Sequence, residues 1–135
     1  MKKERKITMR KLESIQKEAK LNDVYSVDDI GPGGANHHYI VVSHGEDPTT
    51  AEYYDSVLGD IQLQNGPRKE QTSVPGVIDT DLLEIVRDRL KAFQAGEFAN
   101  DYNAEALEHI EAALSALNRR VEDRLKRNVL GTNNK

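Results

Sequence analysis

The feature that most constrains this chain is a row of apolar residues along its last third. Its six members follow one another at steps of 3, 4, 3, 4 and 4 residues and are Leu107, Ile110, Leu114, Leu117, Val121 and Leu125. This spacing places them on one face of an α-helix for about three heptads, as in helices that pair along an apolar seam. The sequence therefore predicts a long C-terminal helix with a one-sided apolar face.

A second helix is predicted just upstream. Asp79-Thr80 is a typical helix start, since acidic side chains in the first turn face the positive end of the helix dipole. The apolar residues that then recur at helical spacing are Leu82, Leu83, Val86, Leu90 and Phe93. Because only residues 97–103 connect the two helices, we expect an antiparallel hairpin over about residues 79–128.

The first half of the chain has the signals of an antiparallel sheet. Residues 38–43 are rich in β-branched and aromatic side chains, and residues 6–10 and 57–63 alternate apolar with other residues. Turn sequences separate these runs. We therefore predict an α+β fold in a single domain, residues 1–135. A small N-terminal antiparallel β-sheet, about residues 6–75, precedes the long C-terminal antiparallel α-helical hairpin.

The long one-sided seam also bears on assembly. A chain of this size buries only about two-thirds of its surface, and such domains often complete their core by self-association. The seam can pack on the sheet of its own chain alone, or it can also pair with another subunit. We favour the second arrangement and predict a homo-oligomer.

Charge is segregated along the chain. The formal net charge of −4 combines +5 in residues 1–20, −8 in residues 21–60, +1 in residues 61–78, −6 in residues 79–118 and +4 in residues 119–135. A local basic pocket can therefore lie inside an acidic envelope. The acidic total argues against a general nucleic-acid-polymer binder, so no nucleic-acid polymer is expected as a partner.

Other broad classes are excluded by composition. The chain has no Cys, which removes disulfides, thiolate nucleophiles and Cys-based zinc sites. No apolar stretch approaches the roughly 18 residues of a membrane span, and no apolar h-region follows the basic N-terminus. We therefore expect a cytoplasmic protein without a membrane partner.

The basic end of the last helix is the first candidate site. Arg120 and Arg124 are four residues apart and share a helix face, so their guanidinium groups can hold a diphosphate bidentately. Cations at a helix C-terminus also complement the dipole, and most charge runs are solvated. On pattern alone, the solvated face is the favoured interpretation.

Three further residues are candidates for ligand contacts. Phe93 can stack on a base and Asn103 can pair with an adenine edge, whereas the ordinary alternatives are a core Phe and a helix N-cap Asn. Arg68 follows the turn Asn65-Gly66-Pro67, where an ordinary solvated Arg is favoured by pattern. His37, His38 and His44 are poorly spaced for a shared metal or a general base. We expect no catalytic residue, metal or cofactor.

Short motifs across residues 60–132 carry a resemblance. They are Ile61-Gln62-Leu63-Gln64-Asn65-Gly66-Pro67-Arg68-Lys69-Glu70, Gly76-Val77, residues 82–90 (Leu-Leu-Glu-Ile-Val-Arg-Asp-Arg-Leu), Phe93-Gln94-Ala95-Gly96 and Arg127-Asn128-Val129-Leu130-Gly131-Thr132. The series resembles the first-described family of phage Thoeris anti-defence proteins. The N-terminal part of the chain is consistent with it.

The resemblance implies a signal sponge. Members sequester the cyclic ADP-ribose isomers made by Thoeris TIR-domain enzymes, so the effector is never activated and the signal is not degraded. It also implies a small sheet with a long helical hairpin, similar to that of a phage anti-CBASS sponge family. Dimers, or hexamers built from dimers, hold glycocyclic ADP-ribose at the subunit interface. The matching positions here are Arg68, Phe93, Asn103, Arg120 and Arg124. Some members also bind cyclic di- or trinucleotides at separate sites.

Such a sponge is expected to act in the cytoplasm of an infected bacterium. Two alternatives to a sponge remain open at this point. One is an enzyme that cleaves a cyclic nucleotide with His37, His38 or His44 and nearby acids. The other is a nucleic-acid-binding phage regulator that uses the basic tail and the last helix, which predicts steep salt dependence.

Overall fold

The computed structural model describes residues 9–49 and 57–135. Within these residues four strands form one antiparallel sheet in the order β1-β2-β3-β4. They are β1 (Arg10–Lys11), β2 (Asn22–Ser26), β3 (His38–Ser43) and β4 (Val57–Gln62). The predicted N-terminal antiparallel sheet is confirmed. The strand predicted at residues 6–10 falls mostly outside the described residues.

The core of the sheet lies on one face of β3. Ile40 and Val42 are two positions apart on this strand, so their side chains lie on the same face, and both have 0% exposure. Their partners on β2 are Tyr25 and Asp23, and Asp23 is buried as well. β-Branched side chains pack well on such a pleated surface, which is why this run forms a strand.

Two helices form the predicted hairpin: α1 (Asp79–Gln94) and α2 (Asp101–Lys126). At the start of α1 the Asp81 carboxylate accepts a hydrogen bond from the amide of Ile78 at 2.9 Å. At the start of α2 the side-chain oxygen of Asn100 accepts one from the amide of Asn103 at 2.8 Å. Both bonds satisfy amide groups that have no partner inside the helix.

An ion pair across the hairpin shows how the helices are aligned. Arg87 Nε on α1 donates to Glu111 Oε2 on α2 at 2.9 Å. Since α1 has 16 residues and α2 has 26, the end of α2 extends past the start of α1. At 1.5 Å per residue this overhang, from about residue 119 onwards, is about 12 Å long.

Apolar side chains on both helices remain accessible. No residue of α1 is buried, and the buried residue of α2 is a charged one, Arg124. Ile85, Val86 and Leu125 are 58%, 43% and 59% exposed. The hairpin therefore lacks the dry core that the sheet has.

Contacts divide the chain into two compact units. The sheet unit comprises the described residues up to Asn65 together with Val74–Gly76, and the hairpin unit comprises Gly66–Ser73 and Val77–Lys135. Sequence patterning assigns residues 66–73 to the sheet part, whereas the contacts assign them to the hairpin unit. Neither described helix is long and apolar enough to cross a membrane.

Candidate ligand-binding site in the helical hairpin

Phe93 lies in the last turn of α1, at the tip of the hairpin. Its side chain is 37% exposed, and the guanidinium carbon of Arg89 lies 5.3 Å from the centroid of its ring. Residues four apart share a helix face, and the quadrupole of the ring attracts a cation placed over it. Arg89 is thus a neighbour of the site that the sequence analysis missed, although the spacing signals it.

Asn103 lies in the first turn of α2, also at the tip. Its backbone amide is the group that Asn100 caps, so Asn103 is not the N-cap residue that the sequence pattern favours. Its half-buried side chain makes no hydrogen bond to any residue that the structure describes. The side-chain amide of Asn103 is therefore available to a ligand.

Side-chain hydrogen bonds hold the loop between the helices. Gln94 accepts a bond from the amide of Asn100 at 3.0 Å and donates one to the carbonyl of Asn100 at 3.1 Å. Asn100 Nδ2 also donates to the carbonyl of Phe98 at 3.0 Å. Two further aromatic side chains are accessible at the tip: Phe98 in this loop is 69% exposed, and Tyr102 in the first turn of α2 is 85% exposed.

At the other end of the hairpin, Arg124 is engaged with the chain itself. It is 8% exposed, and its Nη2 donates to the carbonyls of Val129 and Thr132 at 2.9 and 3.1 Å. These bonds are possible because the chain turns back after α2 at Asn128, whose φ is +56°. Arg124 therefore holds the C-terminal turn, and its contact with a ligand stays a prediction.

Arg120 differs from Arg124 and Arg127 at the same end of the hairpin. Arg127 is paired with Asp123 at 3.0 Å and also donates to the carbonyl of Lys135. Arg120 is exposed, and within residues 9–49 and 57–135 it has neither an ion pair nor a hydrogen bond. Of the two predicted arginines on this helix, Arg120 is the one whose guanidinium is accessible.

Arg68 belongs to the same end of the hairpin unit. It lies in a turn in which the amide of Glu70 donates to the carbonyl of Pro67 at 3.0 Å. The adjacent side chain of Lys69 packs against Gly131, where an added Cβ would lie 3.1 Å from Lys69 Cγ. The structure thus brings the turn of Arg68 beside the C-terminal turn that Arg124 holds.

The five predicted residues form two groups at opposite ends of the hairpin. Phe93 and Asn103 lie at the tip, whereas Arg68, Arg120 and Arg124 belong to the end where α2 overhangs α1. Asn103 and Arg120 are 17 positions apart on one helix, so their backbones are separated by about 25 Å. Within one copy of the chain they cannot contact the same small ligand.

A groove lies between the two helices of the hairpin. It has a volume of about 480 Å³, and its lining extends from the middle of the hairpin to the beginning of the overhang, including Glu84, Arg87, Leu114 and Val121. Hydrogen bonds from Arg87 to Glu111 and Glu84 raise the pKa of that guanidinium above its ordinary value. None of the five predicted residues lines this groove.

The histidines considered for chemistry lie in the sheet unit and have separate surroundings. His38 Nε2 is 2.6 Å from Asp60 Oδ1, and His44 Nδ1 is 2.9 Å from Asp23 Oδ1. His37 Nδ1 is buried and has no hydrogen-bond partner among the residues that the structure describes. Six strand positions separate His38 from His44, which amounts to about 20 Å. In the described residues no cluster of His, Asp or Glu is arranged to hold a metal ion.

Asp23 is held by several donors at once. His44 Nδ1 and the amide of Gly45 lie 2.9 and 3.0 Å from its carboxylate, and the ammonium groups of Lys20 and Lys11 lie at 3.3 and 3.5 Å. The bond from His44, followed by that from Gly45, lowers the pKa of Asp23 well below its ordinary value, although burial opposes this shift. This cluster ties the loop after β1 and the turn after β3 to β2.

Comparison with known proteins bears on the same half of the chain. The family model described as "Acb2/Tad1, hairpin domain" matches residues 55–122. That range contains Arg68, Phe93, Asn103 and Arg120 but ends before Arg124. The protein "Thoeris anti-defense 1" of Bacillus phage SBSphiJ7 is 33% identical over 116 residues, covering 75% of this chain and 81% of that protein.

Proposed function

Because this chain belongs to the family of phage Thoeris anti-defence proteins, we propose that it is a signal sponge. It binds cyclic ADP-ribose isomers made by Thoeris TIR enzymes, with glycocyclic ADP-ribose as the expected ligand, in the cytoplasm of the infected bacterium. Binding removes the signal from the effector without degrading it. The observation that carries this proposal is the division of the five candidate residues between the two ends of one hairpin.

Two copies of the hairpin are needed to assemble the site. Since about 25 Å separates Asn103 from Arg120 along α2, a ligand at the tip of one copy reaches Arg120 only if a second copy supplies it. An antiparallel arrangement of two hairpins places the tip of each copy beside the overhang of the other. A two-fold symmetric pair then contains two equivalent sites.

Exposed apolar residues support such an assembly. Val121 and Leu125 continue the seam of α2, where they are 37% and 59% exposed. A second copy that covers them would gain about 25 cal/mol for each Å² of apolar surface removed from water. We propose a homodimer as the smallest functional unit, with a hexamer built from three such dimers as the larger form.

The chemistry of the ligand matches the side chains at the two ends. Arg120, with its guanidinium accessible, neutralises the diphosphate. Phe93 stacks on the adenine, and Asn103 forms a hydrogen bond with an edge of the base or with a ribose. Arg68 adds a cation on the far side of the base, and Arg124 shapes the turn that lies beside them.

A sponge must compete with the effector, which requires tight reversible binding rather than turnover. Nanomolar affinity corresponds to about 12 kcal/mol. A cyclic ligand loses little conformational freedom on capture, which lowers the entropic cost of binding. No cofactor, metal or nucleophile takes part in this mechanism.

Release of the signal after capture tests the proposal. The protein is mixed with glycocyclic ADP-ribose, free ligand is removed by size exclusion, and the complex is denatured by heat. We expect the released molecule to have unchanged mass and to activate the Thoeris effector, with the Phe93→Ala, Arg120→Ala double variant retaining none. Failure to retain the signal, or release of a product of different mass, would contradict the sponge.

The same proposal includes binding of CBASS cyclic di- or trinucleotides at a separate place on the assembly. In that case a saturating cyclic trinucleotide leaves the Kd for glycocyclic ADP-ribose unchanged. Direct competition between the two ligands would instead assign both to one site. If the cyclic trinucleotide does not bind at all, the protein is not a sponge for CBASS signals.

A further inference from the structure

The arginines of the hairpin unit differ in what they contact. Arg87 is bonded to two glutamates, Arg124 to two carbonyls, and Arg127 to Asp123 and the carbonyl of Lys135. Arg89 makes no hydrogen bond or ion pair with the part of the chain that the structure describes. Its contact there is with the ring of Phe93, at 5.3 Å from the centroid.

This contact positions Arg89 without engaging its donors. A guanidinium has five N–H groups and no acceptor, and the attraction to a ring acts through the face of the ring rather than through a hydrogen bond. A side chain as long as arginine loses considerable rotamer freedom when it is fixed. Contact with the ring of Phe93 already restricts the rotamers of Arg89 in the free protein, so less rotamer freedom is lost when a ligand binds.

We propose that Arg89 is a ligand-binding residue, which together with Phe93 forms a subsite for an aromatic base joined to a phosphate. The ring takes the base, and the N–H groups of Arg89 bind phosphate or ribose oxygens beside it. This inference rests on the proposed function, since it assigns a further residue to the same site. It also supplies an accessible guanidinium at the tip, which is the end of the hairpin opposite to Arg120 and Arg124 of the same chain.

Charge near the tip makes this assignment specific. Glu97, Asp101 and Glu105 are the acidic residues around the tip, so an anionic ligand that approaches the tip meets carboxylates unless a cation intervenes. Lys91 is the other basic residue close to the tip, but it lies two positions from Arg89 and therefore on a different face of α1. Arg89 is the cation that lies over the ring.

Three variants test the inference against a matched control. Arg89→Ala removes the cation, Arg89→Lys keeps a positive charge without the planar fork, and Lys91→Ala removes an equal charge from another face of the same helix. The Kd for glycocyclic ADP-ribose is measured for each variant and for the wild type at several salt concentrations. The melting temperature is recorded in parallel.

We expect Arg89→Ala to weaken binding about tenfold, which corresponds to about 1.4 kcal/mol, and to make the Kd less sensitive to salt. Arg89→Lys should retain the salt sensitivity with an intermediate Kd, and Lys91→Ala should bind like the wild type. The melting temperature should be the same in all of them. If wild type binds and Arg89→Ala matches Lys91→Ala, this inference alone is wrong; if wild type does not bind, the proposed function fails with it.

A second comparison separates contact with the ligand from support of the ring. Phe93→Leu keeps an apolar side chain but removes the aromatic face. If Arg89 acts on the ligand from its place on the ring, the loss in the double variant with Arg89→Ala is smaller than the product of the two single losses. If the two losses multiply, Arg89 does not depend on Phe93 and the subsite as described is excluded.

Discussion

The sheet unit and the hairpin unit use their apolar residues in opposite ways. In the sheet unit Ile40 and Val42 are completely buried. In the hairpin unit no apolar residue of either helix is buried, and Ile85 and Leu125 are more than half exposed. The sheet unit therefore has a core of its own, whereas the apolar face of the hairpin is suited to contact with another molecule.

Charged groups show a parallel difference: those of the sheet unit are paired with one another, whereas some of those in the hairpin unit have no partner within the described chain. In the sheet unit the buried Asp23 is surrounded by donors from His44, Gly45, Lys20 and Lys11. In the hairpin, Arg89 and Arg120 have no ion pair within the described chain. Groups that satisfy one another stabilise a fold, and groups left accessible are available to bind. The comparison agrees with the proposal that the hairpin unit binds the ligand, and it indicates that the sheet unit contributes more to stability.

The largest expected effect comes from the core of the sheet. Ile40→Ala should lower the free energy of unfolding by about 2–5 kcal/mol, because it leaves a cavity where the side chain is fully buried. Leu125→Ala, on the exposed part of the seam, should change it by less than about 0.5 kcal/mol in dilute solution. Urea unfolding at several protein concentrations measures both.

Concentration sharpens this first prediction. If a second copy covers Leu125, the effect of Leu125→Ala grows as the protein concentration rises, while that of Ile40→Ala is the same throughout. An effect of Leu125→Ala as large as that of Ile40→Ala at every concentration would place a core in the hairpin of the single chain.

The two arginines of α2 should give opposite results. Arg124→Ala should destabilise the protein by about 1–3 kcal/mol, since the carbonyls of Val129 and Thr132 lose a donor. Arg120→Ala should leave stability within about 0.5 kcal/mol but weaken ligand binding by about 1.5–3 kcal/mol, the range for bonds to a charged group. Thermal melting and calorimetric titration distinguish the two variants. If Arg120→Ala and Arg124→Ala lose the same amount of stability, Arg120 has a structural role and the prediction is wrong.

A smaller effect is expected from acid. The pKa of Asp23 in the folded protein lies below its ordinary value of 3.8, so its ion pairs stabilise the fold above that pH and are lost as the pH falls beneath it. The difference in Tm between wild type and Asp23→Asn should therefore narrow from about pH 5 to about pH 2. Ile40→Ala changes no titratable group, so its Tm difference serves as the control. If the Tm difference for Asp23→Asn stays constant with pH, the ionised carboxylate of Asp23 does not stabilise the sheet.

Much of the fold follows from local sequence patterns. The β-branched run at residues 38–43 forms β3 with the predicted limits, and α1 begins at Asp79 as predicted. These elements depend on side-chain periodicity and end signals that are present in a short window of sequence. The antiparallel hairpin follows from the shortness of the connection between its helices.

The surroundings of the candidate residues are less accessible from sequence. Arg124 is buried because the chain turns back at Asn128, which the pattern of α2 does not show. Arg68 belongs to the hairpin unit because its turn packs near Gly131, a contact between residues far apart in the chain. By contrast, the pair of Arg89 and Phe93 is local. Its spacing of four residues signals the contact, although the sequence analysis did not single it out.

The central claim is that one ligand site is built from two copies of the hairpin, and mixing two defective variants tests it most directly. Phe93→Ala damages the tip and Arg120→Ala damages the overhang, so each protein alone should bind glycocyclic ADP-ribose weakly. After the two are unfolded together and refolded, random pairing gives mixed dimers in which one of the two sites is intact, or roughly a quarter of all sites. The account predicts that this fraction binds with wild-type Kd in a calorimetric titration. If the mixture binds no better than the two variants measured separately, the ligand site lies within a single chain and the account is wrong.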